Sequence, residues 1–231
     1  MHRLKLSLMC LFAHVASIFA HFLDQSSPFH LVLRSDDSNY DNQQLFACHE
    51  GAGIQGLCIV DPQRGANSAL DTFQFNTTSH QAIPNATLGS PGVITFVMSV
   101  NDGEFTGKPQ HPPMSTYLIA RTVLLTTSTS IETESLGLVH DDESNVAHPQ
   151  FWPGPRGTLF AFDAGNMLNM QSYLDDTVTK PNRYTFRAYY RWYVCKAPYG
   201  SHPLETLNWV MGNLPPQNPS CSKVDVVRQF V

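Results

Sequence analysis

Tyr184-Thr185-Phe186-Arg187-Ala188-Tyr189-Tyr190-Arg191-Trp192-Tyr193-Val194-Cys195 alternates with a period of two. In an extended chain Tyr184, Phe186, Ala188, Tyr190, Trp192 and Val194 share one face, and Thr185, Arg187, Tyr189, Arg191, Tyr193 and Cys195 share the other. The first set is continuously apolar or aromatic, so it is expected in a core, with the second set half-solvated. Residues 184–195 therefore read as one strand.

The same grammar extends in both directions. Gly, Pro, Asn and Ser interrupt the chain every dozen residues or so, and helical periodicity is nearly absent. Strands are expected at about Phe29–Arg34, Gly56–Val60, Thr72–Phe75, Val93–Val100, Tyr117–Thr126, Thr158–Phe162, Met167–Leu174, Thr206–Met211 and Val224–Phe230. Val93–Val100 is apolar on both faces apart from Thr95 and Ser99, which marks a central strand. With no linker or repeat, the expectation is a single all-β domain over residues 21–231, a β-sandwich or a closed β-barrel.

Residues 1–20 read as a secretory leader. Met1-His2-Arg3-Leu4-Lys5 is basic, Leu6 to Phe19 is mostly apolar, and Ala20 is a small residue at the cut. The run is broken by His14 and Ser17 and falls short of the about 20 apolar residues a membrane span needs. Without Arg3 and Lys5 the formal charge moves from −5 to about −7, histidine neutral. Nucleic acid and anionic membranes are then not expected partners, since both demand a clustered positive field. A secreted protein, extracellular or held at the cell wall, is expected.

Export changes the meaning of the cysteines. Cys10 leaves with the leader, and Cys48, Cys58, Cys195 and Cys221 remain, an even number in an oxidising compartment. Of three open pairings, Cys48 with Cys58 and Cys195 with Cys221 are favoured. Each pair is close in sequence and sits among turn formers, Gly51, Gly53 and Gly56 in one case, Pro198, Gly200, Pro203 and Pro215-Pro216 in the other. Loop closure assigns them about 2.8 and about 3.5 kcal/mol. The paired C-x-x-C spacing of a zinc site is missing, so no metal is expected there. Asn76-Thr77-Thr78 and Asn85-Ala86-Thr87 are glycosylation sequons, read as one exposed polar loop; proline blocks Asn218-Pro219-Ser220.

Several stretches carry a resemblance. They are Ser27-Pro28-Phe29-His30-Leu31-Val32-Leu33-Arg34-Ser35, Leu45 to Cys58 with its Cys48-His49-Glu50-Gly51-Ala52 segment, and Phe73-Gln74-Phe75-Asn76. Later come Arg191 to Cys195, Leu207 to Gly212 and Asn218 to Val226. Together they resemble uncharacterised secreted proteins of filamentous fungi that carry a domain of unknown function. The resemblance implies a secreted fungal product and supports the two local disulfides, but it brings no chemistry. The opening strand and the Trp-bearing strands are also similar to fungal cell-wall proteins of this size, which implies a wall-associated role.

The residues themselves offer few catalytic patterns. His49-Glu50 lacks the second histidine of a zinc helix, because position 53 is glycine; hydrogen bonding within the disulfide-closed loop is expected instead. Asp37-Ser38-Asn39-Tyr40-Asp41 begins like a calcium loop, but Asn42 and Cys48 stand where glycine and glutamate are needed, so a turn is expected. Asp141-Asp142-Glu143 and Asp175-Asp176 could furnish a glycosidase pair only at about 5–9.5 Å separation. Cleavage after Ala20 would leave His21 as an N-terminal copper ligand of the kind found in polysaccharide monooxygenases. Its partner would have to come from His80, His111, His140 or His148. No nucleophile elbow, phosphate loop or dinucleotide fingerprint occurs. No catalytic residue and no cofactor are therefore expected.

Binding is the stronger expectation. Arg187, Tyr189, Arg191 and Tyr193 on one strand face could form a platform for cell-wall polysaccharide, rings stacking on sugars and guanidiniums donating to hydroxyls. The favoured arrangement, however, stacks those cations on those rings. Trp152, in Phe151-Trp152-Pro153-Gly154-Pro155, could be a second contact, but a wedge that packs the loop is its expected role.

Overall fold

Phe29, Leu31 and Leu33 lie on one face of β2 (Phe29–Arg34) and are all 0% exposed, whereas Arg34 on the other face is exposed. This computed structural model describes residues 24–51, 54–59, 70–77, 87–100, 130–140, 142–153, 157–172, 179, 187–199 and 202–231, and the same alternation builds its core throughout. β1 (Asp24–Gln25) pairs with β5 (Phe73–Thr77), which runs between β2 and β6 (Gly92–Val100). β3 (Leu45–Gly51) pairs with β4 (Ile54–Ile59), and β7 (Ser130–His140) with β8 (Val146–Pro153). Three short strands, β9 (Ala161–Phe162), β10 (Leu168–Ser172) and β11 (Arg187–Tyr189), make a separate sheet. β12 (Trp192–Tyr199) pairs with β13 (His202–Val210), and β14 (Ser222–Lys223) and β15 (Asp225–Phe230) follow. No helix occurs among the described residues.

The large sheet runs β14-β12-β13-β4-β8-β7-β6-β5-β2-β15, and its pairings are antiparallel. Its two ends are consecutive in the chain, so the sheet curls round and nearly closes into a barrel. At the closure Val224 is buried and its N–H donates to Trp192 O at 3.1 Å, while Lys223 Nζ donates to Val224 O at 2.8 Å.

Aromatic rings fill the interior. Phe73 stacks on Phe151 at 5.7 Å, Phe29 meets Phe162 edge-on at 5.4 Å, and Trp192 meets Trp209 edge-on at 4.8 Å. Phe162 and Leu168 place the small sheet's inner face in the same core, and Phe160, just before β9, joins them.

The expected strand at Phe29–Arg34 has those limits, and Val93–Val100 is central, flanked on both sides as β6. The expected strand at Tyr117–Thr126 lies outside the described residues, as do Tyr184–Phe186. The single strand expected over 184–195 is instead two. Arg187–Tyr189 pairs with β10, then Trp192 onward pairs with β13. At the change of partner, Tyr190 OH donates to Asp163 Oδ2 at 2.7 Å and Arg191 O accepts from Val210 N at 3.0 Å. Burial, then the bond and charge of Asp163, push the Tyr190 pKa up to about 12. Beyond the break Trp192 and Val194 are inside as expected, both 0% exposed, but before it Tyr189, expected on the outer face, packs on the core, so the phase changes with the partner.

β3, β7 and β8 were not expected. β8 carries Pro149 because of a fork in the sheet. β13 pairs with β8 at Ala147, but β4 has taken its place by Gln150. Leu138 N donates away from β8, to Thr158 Oγ1 at 2.9 Å, so Pro149 opposite it is a non-hydrogen-bonded partner whose nitrogen faces the fork. A missing N–H there breaks no β7–β8 ladder bond. Asn208, 0% exposed near the same fork, donates from Nδ2 to Thr206 O at 2.7 Å.

Candidate functional site

Both favoured disulfides form. Cys48–Cys58 joins β3 to β4 and Cys195–Cys221 joins β12 to the segment before β14, with Cα separations of 5.8 and 4.1 Å. The second is packed by Val146, Val210 and Tyr193.

The arginine–tyrosine platform is not assembled as the alternation implied. Tyr189 and Tyr193 belong to different sheets. Arg191 Cζ lies 4.8 Å and Arg187 Cζ 5.7 Å from the Tyr189 ring centre, and Lys223 Nζ lies 5.5 Å from that of Tyr193. The cations cover the rings. Tyr189 also packs on the main core and Tyr193 on the Cys195–Cys221 cluster.

Asn76 is placed in β5 rather than in a loop. It is 4% exposed, and its Nδ2, the atom a glycan would occupy, donates to Thr95 Oγ1 at 2.8 Å. Mass spectrometry of the folded protein, produced in a glycosylating host, is expected to find residue 76 unmodified; a glycan at high occupancy there would contradict this packing. Asn85 lies outside the described residues. So do His21, His80, His111, Asp141, Asp175 and Asp176. Asp142 and Glu143 are exposed in the β7–β8 turn. The calcium-like stretch is a turn in which Asp37 Oδ1 accepts from Asn39 N at 3.0 Å and Asp41 Oδ1 from Ser35 N at 3.2 Å. No group of metal ligands occurs among the described residues.

One surface does bring chemistry together, on the outer face of β4, β8 and β7. Phe151 points into the core, so its neighbours Gln150 and Trp152 point out, and His148 joins them two residues earlier. Gln150 stands directly opposite Gly56 on β4 and Gly137 on β7. Two glycines flanking one residue leave the sheet surface low, and Trp152 rises beside it, its indole 37% exposed. Gly137, Leu138, Trp152, Pro153, Gly157 and Thr158 line an open cleft of about 610 Å³.

The low floor also admits Glu50. A Cβ on Gly56 would lie 1.6 Å from Glu50 Oε1, so the carboxylate lies directly over this glycine. Gln150 Nε2 donates to Glu50 Oε2 at 2.7 Å. The pair His49-Glu50 is thus divided: Glu50 lies over Gly56 beside Gln150, next to the cleft rather than in its lining, while His49 lies across from Gln55, with Nδ1 3.4 Å from Gln55 Nε2. Trp152 was legible as a contact candidate, whereas Gln150, Gly56 and Gly137 were not, because only strand pairing aligns them.

An exposed indole wall, a small-residue floor, and amide, carboxylate and hydroxyl groups at the margin suit the apolar face and the hydroxyls of a sugar. Val139 and Leu159, 37% and 46% exposed, add apolar surface on and beside β7.

A family model described as a domain of unknown function, DUF7907, matches residues 26–230. No curated protein and no solved structure matches the chain.

Proposed function

From the premise that this chain belongs to the DUF7907 family of domains of unknown function, we propose that it is a secreted fungal glycoprotein that binds cell-wall polysaccharide through the Trp152 cleft. The observation that carries the reading is an indole left 37% exposed beside a glycine-flanked floor, in a protein whose other two tryptophans are buried. Two disulfides support a life outside the cell. Asn85 is the sequon left to carry a glycan. Binding replaces the arginine–tyrosine strand as the contact, since those rings are already covered by cations.

Burying an aromatic side chain against a ligand is worth about 1.5–3 kcal/mol. Trp152→Ala is therefore expected to weaken retention on insoluble wall polysaccharide, glucan or chitin, by roughly 10-fold or more. Its far-UV circular dichroism should not change. Full retention by Trp152→Ala, or no retention by the native protein on any of these polymers, would overturn the reading.

A further inference from the structure

The Glu50 carboxylate has an unusual environment for a half-buried charge. Its hydrogen-bond donor is a neutral amide, Gln150, and among the described residues it pairs with no lysine, arginine or histidine. A neutral amide donor leaves the carboxylate's charge uncancelled. A cation arriving from outside would supply a countercharge that the described residues do not. Gly56 holds the carboxylate flat on the sheet, because any Cβ there would collide with Oε1 at 1.6 Å. Its partner Gln150 is two residues from Trp152 on the same strand face, about 7 Å along the chain. An indole face attracts ammonium groups as well as sugar faces.

We propose that the cleft selects amine-bearing polysaccharide, in which an unacetylated 2-amino sugar stacks on Trp152 and donates an ammonium hydrogen bond to Glu50. This rests on the glycan-binding reading of the cleft and names the class of glycan. Acetylation removes the charge and adds bulk over Gly56, and a uronate would bring a second carboxylate to Glu50. Both are disfavoured, whereas a neutral glucan keeps only the stacking contact.

The test compares retention of the full chain on chitosan, chitin and β-glucan beads of equal surface, at a pH where the chitosan amines are protonated. The native protein is expected to prefer chitosan over chitin about tenfold. Glu50→Gln should abolish that preference. Gly56→Ala, which must displace the carboxylate, should do the same. The protein is acidic overall, so Asp142→Asn serves as the control: it removes an equally negative but fully exposed side chain and should leave the preference unchanged. Equal retention on chitosan and chitin, or equal loss in Asp142→Asn and Glu50→Gln, would overturn the amine assignment yet leave glycan binding standing. Failure to bind any of the three polymers would remove both.

Discussion

Trp192→Ala is expected to destabilise the protein by roughly 3–5 kcal/mol, a large part of a domain's net stability. Trp192 is 0% exposed, lies 4.8 Å from the Trp209 ring centre and 5.9 Å from that of Phe160, and donates from Nε1 to Leu168 O at 2.8 Å. Removing the indole opens a cavity where the large sheet meets the small one and leaves the Leu168 carbonyl without that donor. Its backbone carbonyl also accepts from Val224, so the same residue anchors the barrel closure. Urea unfolding followed by fluorescence measures the loss. Trp192→Phe, which keeps a ring but not the donor, should fall between the two. A cost under about 1 kcal/mol for the alanine variant would mean that the small sheet does not depend on this contact, contrary to the packing described.

Replacing Cys195 and Cys221 together by serine is expected to cost about 3.5 kcal/mol, the closure entropy of a loop of 26 residues. Cys195 is 1% exposed, so one new hydroxyl is also buried, and the loss should be at least that large. The consequence should reach the barrel seam, because Cys221 immediately precedes β14, where the sheet turns back on itself. Removing Cys48 and Cys58 is expected to cost less, about 2.8 kcal/mol, for its shorter loop. If the Cys195–Cys221 double variant unfolds at the same urea concentration as the native protein, the loop is already ordered without its clasp.

Much of this fold could be read from alternation alone. Phe29–Arg34 and Val93–Val100 announce themselves because every inward position is apolar. β7 does not: Glu134, fully buried, shares a face with Leu136, and a carboxylate there disguises a core strand as a loop. β8 is hidden by Pro149 and Pro153, tolerated because one proline faces the fork where β13 gives way to β4. The strand over 184–195 shows most plainly what alternation omits. Its alternation correctly places Trp192 and Val194 inside, yet alternation contains nothing about which strand is the neighbour, and the neighbour changes at Tyr190.

That limit explains the candidate site as well. A ring platform was readable along one strand, but the Tyr189 and Tyr193 rings are capped by cations from Arg187, Arg191 and Lys223, and Lys223 is distant in sequence. The cleft that takes its place depends on register across β4, β8 and β7, which sets Gly56 and Gly137 on either side of Gln150. Nothing local to any of these residues announces the alignment.

Three tryptophans, one on the cleft and two in the core, provide the most direct check. Nitrogen-15-labelled protein should show three indole N–H resonances, and titration with soluble chitosan and glucan oligosaccharides should move that of Trp152 while those of Trp192 and Trp209 stay in place. Saturating oligosaccharide that leaves the Trp152 signal still, or shifts only the two core indoles, would contradict a ligand seated on this face.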